Sequence, residues 1–291
     1  MNRETEKMFN QIRKIIEQKG LTNEDEIKKF MENEVIGKSL DDFQDIDNEV
    51  SDEDFAKDLV NDAMHTKNKF EAITLAEDAL AHDKNCIEAY IFLSSTQEHP
   101  FLMLHFLKMA VKIGKKKFPK EFLKENKEHL WYIHETRPYL TAMFVMGQVY
   151  FEDEDYASAI QIFDKLIEIC PNDNLGARDL LMTALLRTEE YEQYKKYEKM
   201  YPEEESATAL FNKVLYSYYN DDDKEKTSYL LKAAQKINPH VVKKLINSNL
   251  KLKLSSAFGM GSPEEANNYC YFARDMWLED KDLIRWIKQN Q

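Results

Sequence analysis

The chain has 291 residues, 43% apolar and 32% charged, enough apolar matter for a buried core and enough charge to keep it soluble. Glycine and proline number only 7 each, too little punctuation for a sandwich, a barrel or a doubly wound α/β fold, so a mostly helical protein is expected. A formal charge of −13, from 53 acidic and 40 basic residues, repels phosphate backbones and argues against nucleic acid as a partner.

In chain order, residues 1–52 predict two amphipathic helices and an acidic connector. Met8, Ile12, Ile15 and Ile16 recur at helical spacing, and Gly20 marks a stop. Thr22 is the expected cap of a second helix carrying Ile27, Phe30 and Met31. An acidic stretch runs from Asp41 to Asp54, within which Ser51 is placed to cap the next helix, three residues before Asp54.

Residues 53–240 predict about five helical hairpins. The best-marked runs from Leu140 to Asp173, with Gly147 and Tyr150 in its first half and Tyr156, Ala159, Phe163 and a terminal Pro171 in its second. Small residues at Gly147 and Ala159 let two antiparallel helices approach, the rings fill the space beside them, and Pro171, lacking an N–H, ends the second helix. The same pattern recurs over residues 53–86 (Leu59, Ala63, Ala72, Ala76, Ala79), 87–114 (Tyr90, Leu93, Ala110), 174–205 (Leu181, Tyr191, Pro202) and 208–240 (Phe211, Tyr218, Ala234, Pro239). Phe118 to Ile133 reads as an extra helix, and the basic island from Lys112 to Lys127 as a solvated loop and helix start. Beyond Pro239, residues 241–291 predict capping helices. Ser262, Pro263 and Glu265 form a helix start with a cap, a first-turn proline and a glutamate reaching back. A last short helix carries Leu283, Ile284, Trp286 and Ile287.

This pattern resembles the roughly 34-residue tetratricopeptide repeat, with Met143 and Met146 at its first apolar positions and Leu166 where a small alanine is usual. The resemblance implies an all-α fold, a right-handed α-solenoid with an N-terminal helical extension and C-terminal capping helices. One such hairpin cannot bury its own apolar face, so neighbours must stack. More particular motifs are Glu135-Thr136-Arg137-Pro138-Tyr139, Pro171-Asn172-Asp173-Asn174 followed by Gly176 and Arg178, and Asn238-Pro239-His240-Val241. With Gly261, Glu265-Ala266, Tyr269, Trp277 and Trp286, they resemble bacterial tetratricopeptide relatives of the suppression-of-tumorigenicity-seven family from about residue 55 to the end. That resemblance implies a protein-interaction role and no established activity. Leu175, before Gly176, departs from it, as does the absence of a proline-rich linker after Val242.

Within His134-Glu135-Thr136-Arg137-Pro138-Tyr139-Leu140, Thr136 is the expected N-cap and Pro138 fits the first helical turn. Glu135 complements the helix dipole. Arg137 is left to pair with Glu135 or Asp173, or to project toward a ligand acid.

Catalytic chemistry finds no constellation. His129 and His134 are five apart and cannot share a face as in HExxH, and neither a P-loop nor a GxSxG elbow occurs. Cys86, Cys170 and Cys270 are far apart with no CxxC pair, which argues against a disulfide framework and a cysteine zinc site. No metal, cofactor or enzymatic activity is expected. The first residues lack the apolar core of a signal peptide and no run approaches the ~18 residues of a membrane span, so a cytoplasmic protein with no membrane partner is expected. In tetratricopeptide proteins the first helix of each hairpin lines the concave surface. Its register gives Thr141, Phe144, Gln148 and Phe151, then Asp179, Thr183 and Leu186, then Asn212, Tyr216 and Tyr219, with Arg137 at the edge. Aromatic anchors mixed with amides and hydroxyls suit a peptide. Lys57 and Asn61 have the spacing of a carboxylate clamp, but Phe92 stands where its next amide belongs. The expected function is a protein- or peptide-binding scaffold. The alternatives are a peptide-responsive regulator and a weak homo-oligomer joined near Trp277 and Trp286.

Overall fold

In the computed structural model the described residues are 12, 15, 16, 19–37, 51–202, 204–247 and 249–290, and every regular element among them is helical. Two compact units divide the chain, Met1–Thr96 and Gln97–Gln291. Most of the first predicted helix and of the acidic connector lies outside the described residues.

In the first unit, Ile12, Ile15, Phe30 and Val35 form one small core with Ile16, Leu21 and Met31 against it. Gly20 takes a positive φ of 63°, the left-handed geometry of a helix stop. Helix α1 (Glu24–Phe30) continues as a π-helical turn, Met31–Val35. Its cap is Asn23, whose side chain accepts from the Asp25 N–H, rather than the expected Thr22. The Asn23 side chain accepts from the N–H two residues on, and the helix starts one position later. Helices α2 (Asp52–His65), α3 (Lys69–His82) and α4 (Ile87–Ser95) follow. Ser51 caps α2 as expected, accepting from Asp54 N–H at 3.1 Å. Ala56, Val60, Ala79, Cys86 and Ala89 bury one contiguous core, and the alanines bring the backbones close.

The second unit opens with α5 (Pro100–Lys117), capped by His99. Lys115, Lys116 and Lys117 lie in its last turn rather than in a loop, where cations complement the negative helix end. The predicted extra helix is shorter than expected: α6 (Lys120–Glu125) gives way to 3₁₀ turns at Leu130–Tyr132 and His134–Thr136. Three hairpins follow: α7 (Arg137–Glu152) with α8 (Tyr156–Ile169), α9 (Ala177–Arg187) with α10 (Tyr191–Met200), and α11 (Ala207–Asn220) with α12 (Lys224–Ile237). In each the first helix packs on its own second helix, and α7 on α9 and α9 on α11 join successive first helices.

The expected small-residue contact is direct. A Cβ on Gly147 would lie 2.5 Å from the Phe163 ring, and one on Gly114 2.1 Å from Tyr139, so these glycines set the α7–α8 and α5–α7 approaches. Phe163 and Phe211 are fully buried, and burying such a ring contributes roughly 1.5–3 kcal/mol. The remainder comprises α13 (Val241–Leu245), an irregular stretch, α14 (Pro263–Glu279) and α15 (Lys281–Gln289).

Candidate functional site

Helices α7, α9 and α11 place the residues of the predicted face differently from one another. On α7, Thr141, Phe144 and Gln148 are half-buried. Phe144 tilts onto Phe163 of α8 at 6.1 Å, and the Gln148 amide donates to Glu152. Phe151, at the end of the helix, is buried. On α9, Thr183 and Leu186 are buried, and on α11 Asn212 is fully buried. The Asn212 amide donates to Thr183 Oγ1 at 2.9 Å, and Thr183 donates in turn to the Asp179 carbonyl. These polar groups therefore join α9 to α11. Tyr216 stacks on Tyr194 of α10 at 5.1 Å, with Lys195 over its ring. Tyr219 is exposed, and its hydroxyl donates to Asp280.

What covers this face is α14. Its first turn is anchored by Glu265, which is 4% exposed and accepts from three donors: the Ala207 N–H at the start of α11, the Asn238 amide at the end of α12, and the Gly261 N–H. Ser262 caps the helix as expected, but Glu265 reaches back to Gly261 rather than to the cap residue. Farther along, Tyr269 and Trp277 meet the Phe211 ring, and the Trp277 indole N–H donates to the Tyr269 hydroxyl. Phe272 packs edge-on against Phe151 of α7 at 5.5 Å. Arg187, the last residue of α9, donates to the Phe272 carbonyl, pairs with Asp275, and lies over the Phe151 and Tyr156 rings. Helix α14 thus lies along α9 and α11 and ends its reach at the end of α7. The irregular stretch before it is strapped to it in turn: Asn268 exchanges two hydrogen bonds with Ser255, and Arg274 donates to the Asn247 and Leu250 carbonyls.

Two sequence motifs resolve into backbone work. Asp173, with φ 48°, accepts from the N–H groups of Ala177 and Arg178 and so caps the start of α9. Arg178 pairs with Asp173 and Glu204 and lies over the Tyr201 ring, while Asn172 ties the turn to the Glu128 carbonyl. In the HETRPYL stretch Thr136 does not accept from α7. It is fully buried and donates to the Leu130 and Ile133 carbonyls, because the preceding 3₁₀ turn presents those acceptors to it. Pro138 occupies the first turn as expected. Arg137 pairs with neither Glu135 nor Asp173 in the way foreseen: its Nε donates to the Trp131 carbonyl at 2.8 Å and its guanidinium lies over that ring.

The electrostatic weight falls on the α9 start. Burial pushes the half-buried Asp179 carboxyl up to about 7, reinforced by Glu204 and opposed by Arg178. Burial raises Asp173 as well. All three cysteines are buried, and burial pushes Cys86 and Cys270 up to about 12, which favours the protonated thiols at neutral pH. Among the described residues no three His, Cys, Asp or Glu side chains converge as metal ligands, and no helix is long and apolar enough to cross a membrane. What the site can do is hold a helix: its donors, rings and one Arg clamp already do so for α14.

The seating of α14 along α9 and α11 and the threefold acceptor at Glu265 escape reading from the sequence. One signal was there: from Leu180 to Leu186 only Thr183 is polar, and a helix apolar all round must be covered on all sides, as all seven residues are.

No family model matches this chain, and no curated protein matches its sequence.

Proposed function

We propose that the chain is a tetratricopeptide-type, right-handed α-solenoid, akin to the bacterial relatives of the suppression-of-tumorigenicity-seven family, that binds a protein or peptide as a non-enzymatic cytoplasmic scaffold. The observation that carries this reading is the seating of α14 across α9 and α11. A face that takes one amphipathic helix from its own chain has the rings, amides and spacing to take another. The part of that face outside the α14 contacts is on α7, around Thr141, Phe144 and Gln148, and partner contact is assigned there.

A regulator that responds to a peptide is favoured by the same observation, since a ligand for the α9–α11 part must displace α14. The homo-oligomer reading loses one of its two contact residues, because Trp277 is fully buried. The test is capture from native lysate with wild type beside the Thr141→Glu, Gln148→Glu double variant at two half-buried sites, its folding verified by circular dichroism. A partner held by wild type and lost by the folded variant supports the scaffold. The same partners on both proteins, or none on either, contradicts it.

A further inference from the structure

On the other flank of α7 lies a crevice of about 300 Å³ between α5 and α7, lined by Lys108, Val111, Lys112, Lys115, Met146 and Tyr150. Met146 and Tyr150 are each two residues from Phe144 and Gln148, about 200° around the helix, so this flank is not the predicted concave face. Val111 and Met146 are 4% and 5% exposed and form a recessed floor. The three lysines are exposed and follow the i, i+4, i+7 spacing of one helical stripe, about 10 Å long. Among the described residues no carboxylate pairs with any of the three. Lys108 leans over the Tyr150 ring at 5.7 Å. Glu152, the acid at the end of α7, is engaged by Gln148 on the far side.

The combination is specific. In a chain of net charge −13, three unpaired cations gathered around an apolar recess form a local reversal of sign. The recess is at the small end of the ~300–1,000 Å³ range of ligand pockets and has room for one large apolar side chain. Three lysines are too few to hold a polyphosphate backbone against the surrounding charge. A membrane would call for apolar groups that protrude, whereas these are sunk below the lysines. Carboxylates spaced along a helix, with one ring between them, match both features.

We propose that the α5–α7 crevice is a docking site for an acidic amphipathic helix of a partner protein, one apolar side chain entering over Val111, Met146 and Tyr150 while its carboxylates pair with Lys108, Lys112 and Lys115. The site stands whether or not the concave face binds a partner. The test is fluorescence anisotropy of the full chain with a labelled helical peptide bearing Glu at i, i+4 and i+7 around a single Phe. Binding is expected, weakened about tenfold when the peptide Phe becomes Ala and weakened strongly by salt. Lys108→Ala, Lys112→Ala, Lys115→Ala together should cost at least tenfold, and the matching Lys→Arg triple should restore binding. Absence of binding, or binding that survives the Ala triple in a folded protein, overturns the site. Loss of binding in the Thr141→Glu, Gln148→Glu variant with the Ala triple unaffected moves the peptide to the concave face and also overturns it. Anionic vesicles or an oligonucleotide bound through the lysines more tightly than the peptide would overturn the choice of partner.

Discussion

At Gly147 a missing side chain sets the distance between α7 and α8. Adding one methyl forces the Phe163 ring aside, so Gly147→Ala should lower unfolding free energy by about 1–3 kcal/mol, read by urea denaturation. Glu265 is the opposite case, a side chain that cannot be changed even isosterically. Glu265→Gln replaces an acceptor oxygen with a donor facing buried N–H groups, and should cost about 2–3 kcal/mol in the same measurement. Asp179 carries a pH signature. Its carboxyl, pushed up to about 7 in the folded chain, sits near ~3.9 when unfolded. The folded state therefore binds the extra proton between those values, and stability falls as pH rises through that window. Asp179→Asn should raise Tm by several degrees at pH 8, a gain of up to about 4 kcal/mol, and change it little near pH 4. An equal shift at both pH values would contradict this account. Residue-scale features divide in their legibility. Gly147 and Ser51 announce themselves by type and position, because local geometry needs them. Glu265 does not, since two of its donors arrive from Ala207 and Asn238, far away in sequence.

At the scale of elements, the α2–α3, α7–α8, α9–α10 and α11–α12 hairpins were legible because their signals are local: helical spacing, small residues at close approaches, prolines at ends. Caps shifted where a nearby competing partner won, as Asn23 did over Thr22 and as the Leu130 and Ile133 carbonyls did for Thr136. The existence and bounds of α14 followed from Ser262 and Pro263, but its destination did not. Expected as an end cap, it lies along α9 and α11. The run from Leu180 to Leu186 demanded a cover without naming it. Trp277 anchors that cover, fully buried against Phe211. Trp277→Ala should cost about 3–5 kcal/mol and, in hydrogen exchange, accelerate α9 and α11 amides together with those of α14. Acceleration confined to α14 would mean that the three helices do not share one cooperative unit.

At the largest scale, in the second unit α7 packs on α9 and α9 on α11, and the face they share is already partly spent. Phe151, Thr183 and Asn212 were predicted to meet a ligand, and they are buried among α7, α9, α11 and α14. Their chemistry was read as suited to a peptide, while the contacts that bury them are ones the sequence pattern does not encode. The partner-binding role assigned to the α7 part is the central claim. Its most direct test is photocrosslinking in native lysate with benzoylphenylalanine at Gln148, beside the same group at the exposed Lys232 of α12. A discrete adduct at residue 148, lost on adding Thr141→Glu and absent at residue 232, is the predicted result. Adducts at residue 232 alone, or the same adducts at both positions, would contradict the account.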